Sequence, residues 1–252
     1  MPDDGIDADR LMQGADLALF NAKLNARGGY CFFDAAMTRE LANRREIEAE
    51  LRLAIKRDEL SLFFQPIIDL KTGRIRCFEA LLRWFHPTKG ELRPGEFIPV
   101  AEETGVIVTL GNWITRQAAL ACAQWPEDVS VAVNLSPLQI RAPGSVLAIE
   151  QALRDAKLDP SRLELEVTES LFIEDSDQTA AFIEKLAARG VRFALDDFGT
   201  GYSSLAYIHK FPFSKIKVDR SFVSGSGAGP RAHAIIRAVA AMGHQLDMEI
   251  VA

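Results

Sequence analysis

The sequence predicts an α/β protein whose main body is a (β/α) barrel. From Leu60 onward, short apolar runs alternate with amphipathic helical stretches, the pattern of a parallel sheet with crossover helices. Seven such runs occur without any sign of a second domain, which favours a barrel over a doubly wound sheet. The runs end in polar residues, and barrels carry their chemistry at the C-terminal ends of the strands.

The elements follow in order. Residues 7–24 read as a helix, with Leu11, Ala15, Ala18, Leu19 and Ala22 on one face, Asp7 or Asp9 as cap and Gly28-Gly29 as stop. Tyr30 to Phe33 reads as a short strand. One helix and one strand cannot bury a core, so residues 1–33 are an appendage. Residues 34–59 hold a charged connector helix whose narrow stripe, Ile47, Leu51, Ala54 and Ile55, should dock on the next domain.

The barrel proper spans residues 60–252. Its strands are expected at Leu62 to Ile67, Ile75 to Trp84, Val129 to Leu135, Leu163 to Thr168, Val191 to Asp196, Lys215 to Asp219 and Met248 to Ala252. Asp69 to Gly73 reads as a turn. A short helix opens at Pro94-Gly95 and stops near Gly105. Further helices are expected at 109–124, 144–156, 176–189 and 230–243. The Gly/Ser-rich segment Ser224 to Gly229 reads as a mobile loop.

Composition excludes several classes. A net charge of −6 argues against a nucleic-acid polymer bound through bulk charge. A small phosphorylated ligand remains compatible, because metal ions can supply positive charge locally. Cys31, Cys77 and Cys122 show neither metal nor disulfide spacing, which suits free thiols in a reducing, cytoplasmic compartment. No run of about 18 apolar residues marks a membrane segment in this chain.

The central stretch is FALDDFGTGYSSL, residues 193–205, where a buried-strand pattern ends in adjacent carboxylates and glycines. Asp196 and Asp197 could hold divalent cations against a phosphate, or cap the following turn. Strand alternation lists the other candidates: Glu79 with Leu81 and Arg83, Asn134, then Glu164 with Glu166 and Thr168, and Lys217 with Asp219. Each has an ordinary structural alternative, such as a Glu79–Arg83 pair or a turn fixed by Asn134. Jointly, Glu79, Asn134, Glu166, Asp196 and Asp197 at successive strand ends point to an oxygen-only site for Mg²⁺ or Mn²⁺. His86, His209, His233 and His244 lack ligand spacing and read as surface or turn residues. Spacing alone also admits an enolase-like barrel with Lys217 as base.

These residues bring out a resemblance. FFQPI (63–67), FEALLRW around Glu79-Ala80-Leu81, FIPVAEETG (97–105), NLS (134–136), ELEVTES (164–170), DDFGTGYSSL (196–205) and KVDRSFV (217–223) occur in the order seen in EAL-domain cyclic di-GMP phosphodiesterases. The likeness covers roughly residues 45–252. It implies a modified TIM barrel that hydrolyses cyclic di-GMP to linear pGpG with two Mg²⁺ or Mn²⁺ ions. Glu79, Asn134, Glu166, Asp196 and Asp197 match the metal ligands. Lys217 matches the residue that positions the attacking water, and Asp219 one that supports the site. Gln65 and Arg83 match contacts to guanine and phosphate, and Glu169 the glutamate that holds the DDFGTGYSSL loop. A non-catalytic cyclic di-GMP binding module is the alternative. Members of the family often form homodimers.

Residues 5–33, with ADLALFNAK (15–23), resemble the tail of a GGDEF diguanylate cyclase domain without its catalytic motifs. In the family, the strand ending at Glu249-Ile250-Val251-Ala252 runs on into E-G-V-E, which supplies a further ligand and a proposed base. The expectation is therefore a C-terminally truncated barrel lacking its last strand, weak or inactive alone and prone to associate through its open edges.

Overall fold

The computed structural model describes residues 7–25, 29–169, 171, 176–199, 205–223 and 229–252. A curled sheet runs through the molecule, with helices packed on its outer side. Its strands are β1 (Leu60–Ile68), β2 (Ile75–His86), β3 (Gly90–Leu92), β4 (Ser130–Asn134), β5 (Leu163–Thr168), β6 (Arg192–Phe198), β7 (Phe213–Val218) and β8 (Glu249–Val251). The order is β1-β2-β4-β5-β6-β7-β8, with β3 paired to β2. From β2 to β8 that path is parallel.

β1 departs from the all-parallel expectation, because it pairs with β2 antiparallel. The connecting turn is too short for a crossover helix, so the two strands must form a hairpin. Asp69 closes that turn by accepting from the Lys71 and Thr72 amides, both at 2.8 Å. β2 pairs with β4 only as far as Ala80, and beyond that point its hairpin pairing with β1 runs on to Trp84 and Leu60.

Among the described residues, seven helices fall close to their expected spans, and two short ones, at Pro137–Arg141 and Leu205–Lys210, stand where the sequence reading expects none. They are α1 (Ala8–Asn25), α2 (Ala35–Ala54), α3 (Pro94–Glu103), α4 (Val106–Cys122), α5 (Pro137–Arg141), α6 (Ser145–Ala156), α7 (Ser176–Ala187), α8 (Leu205–Lys210) and α9 (Pro230–Gln245). Alternation in β2 sorts its faces. Ala80, Leu82, Trp84 and His86 are buried on the helix side, while Glu79, Leu81, Arg83 and Phe85 line the inner side. Ile47, Leu51 and Ala54 bury the stripe of α2 in the same core as Trp84, Phe97 and Leu110. Ion pairs from Arg44 to Glu103 (2.9 Å) and Lys89 to Glu46 (2.8 Å) pin α2 from outside.

The expected strand at Tyr30 to Phe33 does not form; residues 29–34 carry no strand pairing. No described strand lies beside this segment to complete a ladder; Phe33 packs on α1 instead, while Tyr30 and Phe32 are exposed. The Phe33 ring sits so close to Gly14 that an added Cβ would lie 3.2 Å from it. On α1, Ala18 and Ala22 are buried, but Leu19 is exposed. The loop expected at Ser224 to Gly229 falls mostly on residues 224–228, outside those described.

Candidate metal centre

The inner face gathers charge at the C-terminal ends of the parallel strands. Carboxylate oxygens of Glu79 (β2), Glu166 (β5) and Asp196 (β6) all lie within 4.8 Å of one another. Between them stands Lys217 of β7. Its Nζ donates to Glu166 Oε2 at 2.7 Å, Glu79 Oε2 at 3.0 Å and Asp196 Oδ2 at 3.2 Å. Asn134, at the end of β4, donates its Nδ2 to Glu79 Oε1 at 2.9 Å. Five strands distant in sequence thus converge because strand ends of a parallel sheet share one rim.

The electrostatics follow from the geometry. Glu166 is 1% exposed, and burial, reinforced by the neighbouring Glu79 and Asp196, pushes its carboxyl up to about 8, with Lys217 opposing. Burial works against the charged Lys217, but the Glu166, Asp196 and Glu79 carboxylates outweigh it and hold the ammonium above the ordinary lysine range. Three carboxylates facing one ammonium leave an excess of negative charge in a poorly solvated place. Glu166 Oε1 is buried and, among the described residues, has no hydrogen-bond partner. An unpartnered carboxylate oxygen in an all-oxygen cluster fits a hard divalent cation.

Asp197 stands at the edge of this set. In a regular strand, adjacent side chains point to opposite faces. Here the β6–β7 register slips, so that Leu195 to Phe198 spans the same stretch as Ile216 to Val218. Asp197 takes a left-handed φ of 54°, and its amide donates to Asp196 Oδ1 at 2.9 Å. Bulges of this kind redirect side chains beside active sites. Partial burial, Asp196 and Asp219 raise the Asp197 carboxyl above its usual range. Asp219 caps the turn at Arg220–Phe222 by accepting from the Ser221 amide at 3.0 Å, and hydrogen bonds from Ser221 hold its carboxyl below the usual range.

Glu169 Oε1 accepts from the Gly199 amide at 3.3 Å, which ties the end of β5 to the end of β6. Residues 200–204 of the central motif lie outside the described set. Gln65 sits opposite Glu79 in the hairpin register. Arg83 is not paired with Glu79, the structural alternative read from the sequence; its Nε lies 3.5 Å from Glu91 and its Nη1 donates to the Leu82 carbonyl. His86 is buried in the β2–β3 turn, where Nδ1 accepts from the Thr88 and Lys89 amides at 3.2 Å.

A second buried layer lies one strand repeat below, and sequence reasoning passed over half of it. Lys215 Nζ donates to Glu164 Oε1 at 2.7 Å, and both side chains are buried. Burial pushes the nearby Cys77 thiol up to about 11. The signal was the alternation that puts Lys215 on the same face of β7 as Lys217.

The fold and rim define an α/β barrel with an oxygen-donor cluster at its strand ends. The EAL domain model matches residues 48–252, and the chain belongs to that family. It is 41% identical over 255 residues to the bifunctional diguanylate cyclase/cyclic di-GMP phosphodiesterase MucR of Pseudomonas aeruginosa, covering 100% of this chain and 37% of that protein. It is 38% identical to the cyclic di-GMP phosphodiesterase NbdA of the same organism, over 100% of this chain and 33% of NbdA. The chain spans 29–37% of the length of three such curated relatives. Among solved structures, the PaMucR phosphodiesterase complex with c-di-GMP superposes with a TM-score of 0.77 at 41% identity, covering 81% of this chain and 85% of that one. The Pseudomonas aeruginosa FimX EAL domain bound to c-di-GMP gives 0.74 at 26% identity, covering 81% and 84%. Among the described residues, no helix is long and apolar enough to cross a membrane.

Proposed function

We propose that this domain hydrolyses one phosphodiester bond of cyclic di-GMP, giving linear pGpG, with two Mg²⁺ or Mn²⁺ ions. The observation that carries the reading is the convergence of Glu79, Glu166 and Asp196 on Lys217, with Asn134 beside them. The names of MucR and NbdA and the ligand in the PaMucR complex support the choice of substrate. Glu79, Asn134, Glu166, Asp196 and Asp197 would hold the cations. When bound, these neutralise phosphate charge and lower the pKa of a coordinated water.

The chain's own residues supply the rest. Water oxygen attacks phosphorus and the bond from phosphorus to the 3′-oxygen breaks; the water gives up a proton to solvent and the leaving 3′-oxygen takes one up as a hydroxyl, so the product keeps a 5′-phosphate. Lys217 would orient the attacking oxygen by donating a hydrogen bond to it. Gln65 faces the guanine and Arg83 the phosphate, Glu169 steadies the segment after Asp197, and Asp219 supports the rim. We read residues 1–33 as the end of a GGDEF domain and α2 as the connector between the two.

The test is chromatographic turnover of cyclic di-GMP by the protein carrying this chain in its native sequence context, with Mg²⁺, Mn²⁺ or a chelator. Metal-dependent appearance of pGpG is expected. Tight binding without turnover at saturating metal would replace this reading with that of a non-catalytic binding module.

A further inference from the structure

The β1–β2 hairpin, beyond Glu79, carries an exposed aromatic patch that the reaction described so far leaves unused. Phe63 and Phe85 are 51% and 42% exposed, although the strands beneath them are well packed. Behind the two rings, the opposite face is covered. On the helix side, Leu60, Leu82 and Trp84 are buried, and Phe64 and Phe78 pack on Trp125 at 5.0 and 4.8 Å. Register places Phe63 opposite Leu81 and Gln65 opposite Glu79, so Phe63 and Phe85 share the inner face with the metal-site glutamate.

The patch is built from planar groups. The two phenyl centroids are 6.1 Å apart with a 37° tilt. The Arg83 guanidinium lies over the Phe63 ring at 5.4 Å, and its Nε is 3.5 Å from Glu91. Two rings need about 7 Å and parallel planes to clamp a third between them, at two van der Waals contacts of about 3.5 Å each. Phe63 and Phe85 are too close and too tilted for that, so they form a platform rather than a slot. Aromatic faces and guanidinium planes both stack on nucleobases.

The position fits a nucleotide. Phe63 is level with Leu81, two residues beyond Glu79, hence about 7 Å outward at about 3.3 Å per residue. A phosphodiester held at the carboxylates would place its attached base at that height. We propose that Phe63, with Phe85, is a stacking platform for one nucleobase of the bound dinucleotide, beside the phosphate that Arg83 faces, and sets affinity for the base rather than for the phosphate. This deepens the functional reading above and rests on it.

The experiment measures cyclic di-GMP hydrolysis by the protein in its native sequence context, comparing the parent with Phe63→Ala, Phe85→Ala and a control, Leu70→Ala, at the exposed turn of the same hairpin. Loss of one stacked ring should raise KM about tenfold for Phe63→Ala, with a much smaller change in kcat. Leu70→Ala should match the parent. In parallel, Phe63→Trp should show saturable quenching of its added fluorescence as cyclic di-GMP is titrated in. A parent that turns over while Phe63→Ala keeps its KM, or a Phe63→Trp emission that ignores the ligand, would overturn the platform. A parent that neither binds nor hydrolyses cyclic di-GMP would overturn the functional reading instead. A change in oligomeric mass on Phe63→Ala with KM intact would reassign the patch to self-association.

Discussion

Lys217 Nζ lies 2.7 Å from Glu166 Oε2 inside a ring of three carboxylates. The ammonium is a resident cation, and it offsets part of a repulsion that the fold would otherwise carry alone. Deleting one partner of a buried pair costs about 3–5 kcal/mol. Lys217→Met should therefore lower stability in chelator by that order, and Mn²⁺ should restore more of it than it adds to the parent. Denaturant titrations with and without Mn²⁺ measure both. Equal Mn²⁺ stabilisation of parent and variant would show that metal and lysine do not share these carboxylates.

Glu166 gives the site a pH dependence. Its carboxyl is raised to about 8 from an ordinary value of 4.5. A bound proton excludes a cation, so metal affinity should rise with pH and level off above about 8. Lowering the pH from 8 to 7 should weaken Mn²⁺ binding about fivefold if one proton is released. The stability sign is opposite: the folded state holds this proton more tightly than the unfolded one. The stability from this group is fully present below 4.5 and is lost as pH rises through about 8. Calorimetric titration of Mn²⁺ at several pH values checks the first point. Glu166→Gln should bind weakly and lose the slope.

Gly199 is held at φ 100°, and a Cβ there would lie 2.8 Å from the Phe222 ring. The strain of Gly199→Ala should cost about 1–3 kcal/mol. Its amide also donates to Glu169, so the change should loosen the Asp197 bulge and reduce turnover more than a stability loss explains. Melting temperature and kcat, measured together, separate the two. A variant with parental stability would contradict the backbone assignment.

The Glu164–Lys215 pair tests the layer below. Lys215→Met strands a buried carboxylate and should destabilise by about 3–5 kcal/mol, whereas Lys215→Met with Glu164→Leu should recover most of that. A double-mutant cycle in denaturant measures the coupling. Additive losses would mean that the 2.7 Å contact contributes little.

Alternation made much of this legible. The polar faces of β2, β5 and β7 were readable because strand periodicity sorts residues without reference to partners. What remained hidden depends on distant neighbours. The antiparallel β1 follows from the turn at Asp69 to Gly73, which is too short for a crossover helix. Tyr30 to Phe33 has strand composition, yet a strand needs a ladder and no described strand is adjacent. Local spacing offers Arg83 as a partner for Glu79, but the sheet delivers Asn134 and Lys217 to it instead. The bulge that sets Asp197 beside Asp196 depends on register with β7, which sequence spacing does not encode.

The most direct measurement is anomalous diffraction from crystals of the protein grown with Mn²⁺. The account predicts manganese peaks among the side-chain oxygens of Glu79, Asn134, Glu166 and Asp196, with the Lys217 ammonium moved off the carboxylates that bind them. Manganese bound elsewhere, or an intact Lys217–carboxylate ring at saturating Mn²⁺, would contradict it.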